Sequence, residues 1–177
     1  MNILVRLIVL FVITINSACA VDKQKTSDLA TNAGVGVNDE NIYQSWQKKC
    51  QIIANKDNVC LIYQNYITKK SGKVLLSVSF SYTGSDNHLV ASFKLPLGMF
   101  LPSGLVLKVD DNEKIDFVIQ TCLPDGCYAS INIERNVLNE FKLGQEVKVG
   151  FKTMAQRQVV VKLSLKGFKA AIDSLDK

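Results

Sequence analysis

An all-β body, an antiparallel β-sandwich or barrel-like domain with one or two short helices and a disulfide staple, is the fold class this sequence predicts. Three observations predict it. Apolar residues recur with a period of two from Cys60 almost to the C-terminus, the breaks between these runs carry turn residues, and four cysteines remain once a removable leader is set aside. Successive side chains of a strand point to opposite faces, so an alternating run buries one face and wets the other, and short polar links make neighbouring strands antiparallel.

Residues 1–20, MNILVRLIVLFVITINSACA, read as a secretory signal peptide: Arg6 stands near the start, an apolar run covers Leu7 to Ile15, and small residues end in Ala18-Cys19-Ala20. That run falls well short of the ~18–20 apolar residues a helix needs to cross a bilayer. Cleavage is assigned after Ala20. A lipoprotein reading, with Cys19 as the acylated first residue, competes with it, but Asn16 stands where a branched aliphatic residue is usual. Residues 21–41 hold no aromatic side chain and little apolar periodicity, too little to offset the entropy of ordering, and read as a flexible polar tether. The folded domain is assigned to residues 42–177, beginning near Tyr43 and Trp46, without internal repeats.

Eight strands can be placed by alternation. A weak one runs near Leu61 to Thr68. In the next, Leu76, Val78, Phe80 and Tyr82 share a face against serines. Leu89, Ala91, Phe93 and Leu95 define a third, and Leu105, Leu107 and Val109 a fourth. Then come Ile115, Phe117 and Ile119; Ala129, Ile131 and Ile133; Val147, Val149 and Phe151; and finally Val159, Val161, Leu163 and Leu165. Seven or eight short strands suit a sandwich or barrel. Asp110-Asp111-Asn112-Glu113 reads as a polar hairpin tip. Leu123-Pro124-Asp125-Gly126 supplies a proline with a preset φ and a glycine with a permissive one, as a tight turn requires. Two helical pieces interrupt the strands: Asn136–Leu143, with Gly144 as its stop, and Phe168–Leu175, whose Phe168, Ala171, Ile172 and Leu175 form one stripe that can pack on a sheet.

Cys122 and Cys127 flank the four-residue turn, so a hairpin brings them face to face, and Cys50 and Cys60 are left for each other; the other two pairings stay open on the sequence alone. In the chain-entropy model the two bridges are worth about 2.8 kcal/mol (Cys50–Cys60) and about 2.2 kcal/mol (Cys122–Cys127). Trp46, four residues before Cys50, is expected to pack over the first bridge, and Gly126 to serve the turn. A four-thiolate zinc site or a redox motif fits these spacings poorly.

Other chemistry is sparse. The single histidine, His88, sits in a polar stretch read as a loop, with no nucleophile or orienting carboxylate to form a triad. Asp110, Asp111, Glu113 and Asp116 lack the spacing of a calcium loop. No catalytic residue, cofactor site or metal ligand is assigned. The whole chain carries 21 basic against 16 acidic residues. The excess is scattered, without an aromatic-interleaved basic stripe, so nucleic acid is not expected as a partner. A solvated face is the first reading of this charge, and contact with anionic lipopolysaccharide or host surfaces the second.

The order of these elements resembles the invasion-associated locus B family of host-associated Gram-negative bacteria. The resemblance rests on Trp46 with Cys50 and Cys60 downstream, on FKLPLGMFLPSGLVLKVD from Phe93 to Asp110, on Cys122-Leu-Pro-Asp-Gly-Cys127, and on the ending LSLKGFKAAIDSL. It implies a small exported protein, in the periplasm, at the outer-membrane surface or secreted, that promotes invasion of host cells, erythrocytes in particular, by non-catalytic interaction. The implied partner is a host-cell surface or envelope protein, with association with the outer membrane left open. A periplasmic housekeeping protein that affects invasion indirectly is the alternative.

Overall fold

The computed structural model describes residues 37–43, 45–52 and 58–175. The leader and residues 21–36 of the expected tether lie outside them. Among the described residues there are eleven strands: β1 (Val37–Tyr43), β2 (Trp46–Ile52), β3 (Asn58–Ile67), β4 (Val74–Thr83), β5 (His88–Leu95), β6 (Leu105–Val109), β7 (Lys114–Phe117), β8 (Thr121–Leu123), β9 (Gly126–Asn132), β10 (Glu146–Lys152) and β11 (Gln158–Ser164). Two helices, α1 (Arg135–Leu143) and α2 (Phe168–Asp173), flank the last two strands. The strands form a seven-stranded sheet, β1-β2-β3-β4-β5-β9-β8, and a four-stranded sheet, β11-β10-β6-β7. Every pairing is antiparallel.

All eight alternating runs are strands. Of the three strands beyond them, β1 and β8 are the edges of the larger sheet and β2 lies next to β1. β1 occupies residues 37–41 of the stretch read as a tether, which corrects that boundary. Its segment, VNDENIY, shows no alternation, yet its backbone pairs with β2 from Val37↔Gln51 to Tyr43↔Trp46. His88, read as a loop residue, is the first residue of β5.

One apolar core lies between the sheets. Leu76, Val78, Phe80, Phe93 and Leu95 come from the large sheet, and Leu105, Leu107, Val147 and Val149 from the small one; all are buried. The alternation of β4 and β5 follows the expected faces. α2 buries Phe168, Ala171 and Ile172, and α1 buries Phe141. These two phenylalanines meet Trp46 and Phe80 in a cluster with ring centroids 5.0–5.6 Å apart. The mostly edge-to-face contacts suit the ring quadrupoles and tie both helices to the large sheet.

The topology gives the body two unlike ends. α1, α2 and the β4–β5 turn cover one. At the other, four connections converge: residues 68–73 between β3 and β4, residues 96–104 between β5 and β6, Pro124-Asp125 between β8 and β9, and residues 153–157 between β10 and β11. Met99 bridges to Thr153 and the Met154 N–H donates to the Gly98 carbonyl (2.9 Å), which locks the two sheets together there.

Candidate functional site at the open end of the sandwich

Both bridges form as the sequence favours: Cys50 pairs with Cys60 and Cys122 with Cys127. Each pair faces directly across two antiparallel strands, in register Cys50↔Cys60 and Cys122↔Cys127, with Cα atoms 4.0 and 3.9 Å apart. The first lies toward the helix-covered end and the second at the open end.

The Trp46 indole enters the aromatic cluster, fully buried, and donates from Nε1 to the Ser164 carbonyl at 3.1 Å. Gln64, the one buried polar side chain among the described residues, shares that carbonyl (3.2 Å) and also donates to the Ser45 carbonyl (2.8 Å). Trp46 is thus a core residue with a polar anchor. Gly126 does what a turn glycine should: its φ is +150°, and a Cβ there would stand 2.6 Å from the Leu95 carbonyl oxygen.

Beside that turn, a polar cluster was not visible in the sequence. Lys94 Nζ lies 2.7 Å from Asp125 Oδ2, the Tyr128 hydroxyl donates to the same oxygen at 2.6 Å, and the ammonium sits 5.4 Å from the Tyr128 ring centre. The Lys94 hydrogen bond, with the Tyr128 one second, holds the Asp125 carboxyl below its ordinary value of 3.8 and Lys94 above its ordinary 10.5. Lys94 and Asp125 border a groove of about 390 Å³ that also takes in Asn65, Val74, Ser77, Leu95 and Pro96. Because the folded Asp125 value lies below the unfolded one, the stabilisation it brings is complete above the ordinary value and disappears as pH falls through the folded value. Amide exchange in the Cys122–Cys127 hairpin is expected to accelerate, relative to the β4–β5 hairpin, as pH falls below the ordinary carboxyl value of 3.8. Asp125→Asn should abolish this difference; an unchanged difference in that variant would contradict the assignment.

The disulfide is the other restraint on this turn. Cys122→Ser/Cys127→Ser is expected to lower stability by about 2 kcal/mol, read as a shift in the denaturation midpoint.

The open end is distinguished by its apolar tips. Of the eleven large hydrophobics that stand exposed among the described residues, six lie on its connections or at their borders: Ile67, Val74, Leu97, Leu101, Leu123 and Met154, each between 46 and 66% exposed. They surround the same end as Lys69, Lys70, Lys73, Lys152 and Arg157, all exposed, with no carboxylate within ion-pair distance of them among the described residues. Strands 4.8 Å apart and sheets about 10 Å apart make this face about 20 Å long and 10 Å deep. The lysines looked scattered because the chain visits the end four times; the signal available in the sequence was apolar residues placed inside turn segments, as in Leu97-Gly98 and Thr153-Met154-Ala155.

Asp110, Asp111 and Asp116 of the β6–β7 hairpin, and His88, have partners of their own. Asp110 accepts from the backbone N–H groups of Gln145 and Glu146 (3.0 Å each), Asp111 pairs with Lys108, and Asp116 with Lys114. His88 Nε2 is 3.6 Å from Asp86 on the surface. A broader groove of about 670 Å³, lined by Asp110, Glu146, Lys148 and Lys162, has its charges paired: Glu146 lies 3.2 Å from Lys148 and 3.3 Å from Lys162, and the Lys148 bond above all holds its carboxyl below the ordinary value.

With this geometry in place, the comparisons are specific. A family model described as "Invasion associated locus B (IalB) protein" matches residues 46–176. An invasion protein B homolog of Brucella abortus (strain 2308) is 30% identical over 135 residues, covering 75% of this chain and 76% of that protein. Invasion protein B of Bartonella bacilliformis is 25% identical over 137 residues, covering 75% of this chain and 72% of that one. The crystal structure of invasion associated protein B from Bartonella henselae superposes with a TM-score of 0.70 at 21% identity, across 78% of this chain and 95% of that one, and shows the same fold.

Proposed function

The chain belongs to the invasion associated locus B family, and from that premise we propose that it is an exported protein that promotes bacterial entry into host cells by non-catalytic binding through the open end of its sandwich. Invasion is the role for which the family and its curated relatives are named. Two disulfides support export, since such bridges persist in the periplasm and outside the cell and rarely in the cytosol.

The observation that carries the binding reading is the gathering of exposed apolar and basic side chains on turns at one end, one of them closed by a disulfide, while the core below them is closed and apolar. Loops positioned by a rigid scaffold are where recognition residues concentrate. Titratable groups line the grooves from exposed or half-buried positions, and the buried polar side chain among the described residues is an amide already bonded to two carbonyls. Erythrocytes are the host cells this reading favours.

The test is deletion of the gene followed by rescue with purified, oxidised protein added from outside. Restored entry into erythrocytes is the expected result, and variants at the open end should fail to restore it. Rescue only when the protein is made inside the bacterium, together with resistance to protease until the outer membrane is opened, would instead support a periplasmic housekeeping role.

A further inference from the structure

We infer that the open end docks on an anionic phospholipid bilayer surface, with its apolar tips entering the interfacial region and its lysines facing lipid phosphates. The inference rests on the binding reading above and names the chemistry of the partner. Single aliphatic side chains project from four separate connections: Ile67 and Val74 flank one, Leu97 and Leu101 occupy the second, Leu123 borders the third, and Met154 tips the fourth. They stand apart, with Lys69, Lys70 and Lys73 between Ile67 and Val74, and Lys152 and Arg157 on either side of Met154.

That pattern fits lipid better than a protein receptor. The centre of a protein interface is depleted in lysine, and its strongest contacts come from Trp, Tyr and Arg, with Leu and Val under-represented. A bilayer interface asks for the reverse combination: aliphatic groups at the acyl boundary and long basic side chains that reach up to phosphate while their stems lie on apolar surface. Five basic residues without carboxylate partners among the described residues complement the negative potential of an anionic leaflet. The one carboxylate at the turns, Asp125, is neutralised by Lys94. The depth also suits the task, since half-exposed side chains on turns can enter only the outer layer and the core beneath need not open.

The experiment is co-sedimentation of the disulfide-intact protein with vesicles of phosphatidylcholine alone and with about a third phosphatidylserine. Binding is expected to the anionic vesicles and to weaken with added salt. Lys69→Gln/Lys70→Gln/Lys73→Gln should reduce the partition coefficient on the order of a hundredfold, at about fivefold per lysine. Leu97→Ser and Met154→Ser should each reduce it about tenfold. Leu143→Ser, an exposed apolar site at the opposite end, should leave it unchanged. All these positions are exposed, so folding is preserved, and unchanged thermal midpoints verify that. Failure of the native protein to bind anionic vesicles, or binding indifferent to the open-end variants, overturns the inference. If vesicle binding is absent while the same variants abolish rescue of host-cell entry, the partner is a protein and the binding reading survives without lipid. If the variants rescue entry as well as the native protein, the binding reading itself fails.

Discussion

Replacing Trp46 with alanine is expected to destabilise the folded protein by about 4 kcal/mol, the middle of the range for large aromatic residues removed from a core. The indole is wholly buried, meets Phe80 and Phe168 with centroids 5.6 and 5.1 Å away, and anchors its N–H on Ser164. The cavity would open where sheet, α1 and α2 come together, and the surrounding rings are held on three different elements, so collapse cannot fill it. Trp46→Phe separates the two contributions. It retains most of the apolar contact, leaves the Ser164 carbonyl with Gln64 as its donor, and should cost about 1–2 kcal/mol. Denaturant midpoints at constant m-value provide the measurement. A loss under about 1 kcal/mol for the alanine variant would show that the cluster is not the keystone the geometry makes it.

Gly126→Ala is the second large effect, expected at about 3 kcal/mol. Two penalties coincide there. A φ of +150° is a conformation that residues with a Cβ rarely adopt, and the new methyl carbon would meet the Leu95 carbonyl oxygen at 2.6 Å, which is backbone at the last pair of the β5–β9 ladder and cannot swing aside as a side chain could. Relief requires β9 to move away from β5, and with it the turn bearing Asp125 and the Cys122–Cys127 bridge. The variant should therefore also lose the acid-sensitive behaviour of that hairpin. Comparison with Gly72→Ala calibrates the measurement: Gly72 shares a positive φ, but nothing stands within 4 Å of a Cβ there, so only the backbone penalty applies.

The fold was legible wherever burial on one side imposes a period of two. Leu76, Val78 and Phe80 alternate because each must reach the core, and the same holds through β5, β6 and β10. It was illegible where the sequence has no period of two, as in the VNDENIY of β1, or where a strand is three exposed residues tied by a disulfide, as in β8. The Cys122–Cys127 bridge could be read because the turn places it locally. The neighbours of Trp46 in the cluster, Phe80, Phe168 and Ser164, could not be read because they are distant from it in sequence. The candidate site was hidden for a related reason. Its members come from separate connections, each of which is an unremarkable turn until the topology brings their ends together.

The hydrogen bond between Trp46 and Ser164 spans 118 positions of the chain. A polypeptide that emerges N-terminus first, whether from a ribosome or through a narrow translocation channel, can zip β2 to β5 as a meander while the rest is still threading. It cannot seat its tryptophan, because the carbonyl that receives it and the helix that walls it in are among the last segments to arrive. Completion of the core is thereby coupled to delivery of the whole chain, and a molecule stalled before Ser164 remains an open, protease-sensitive ribbon.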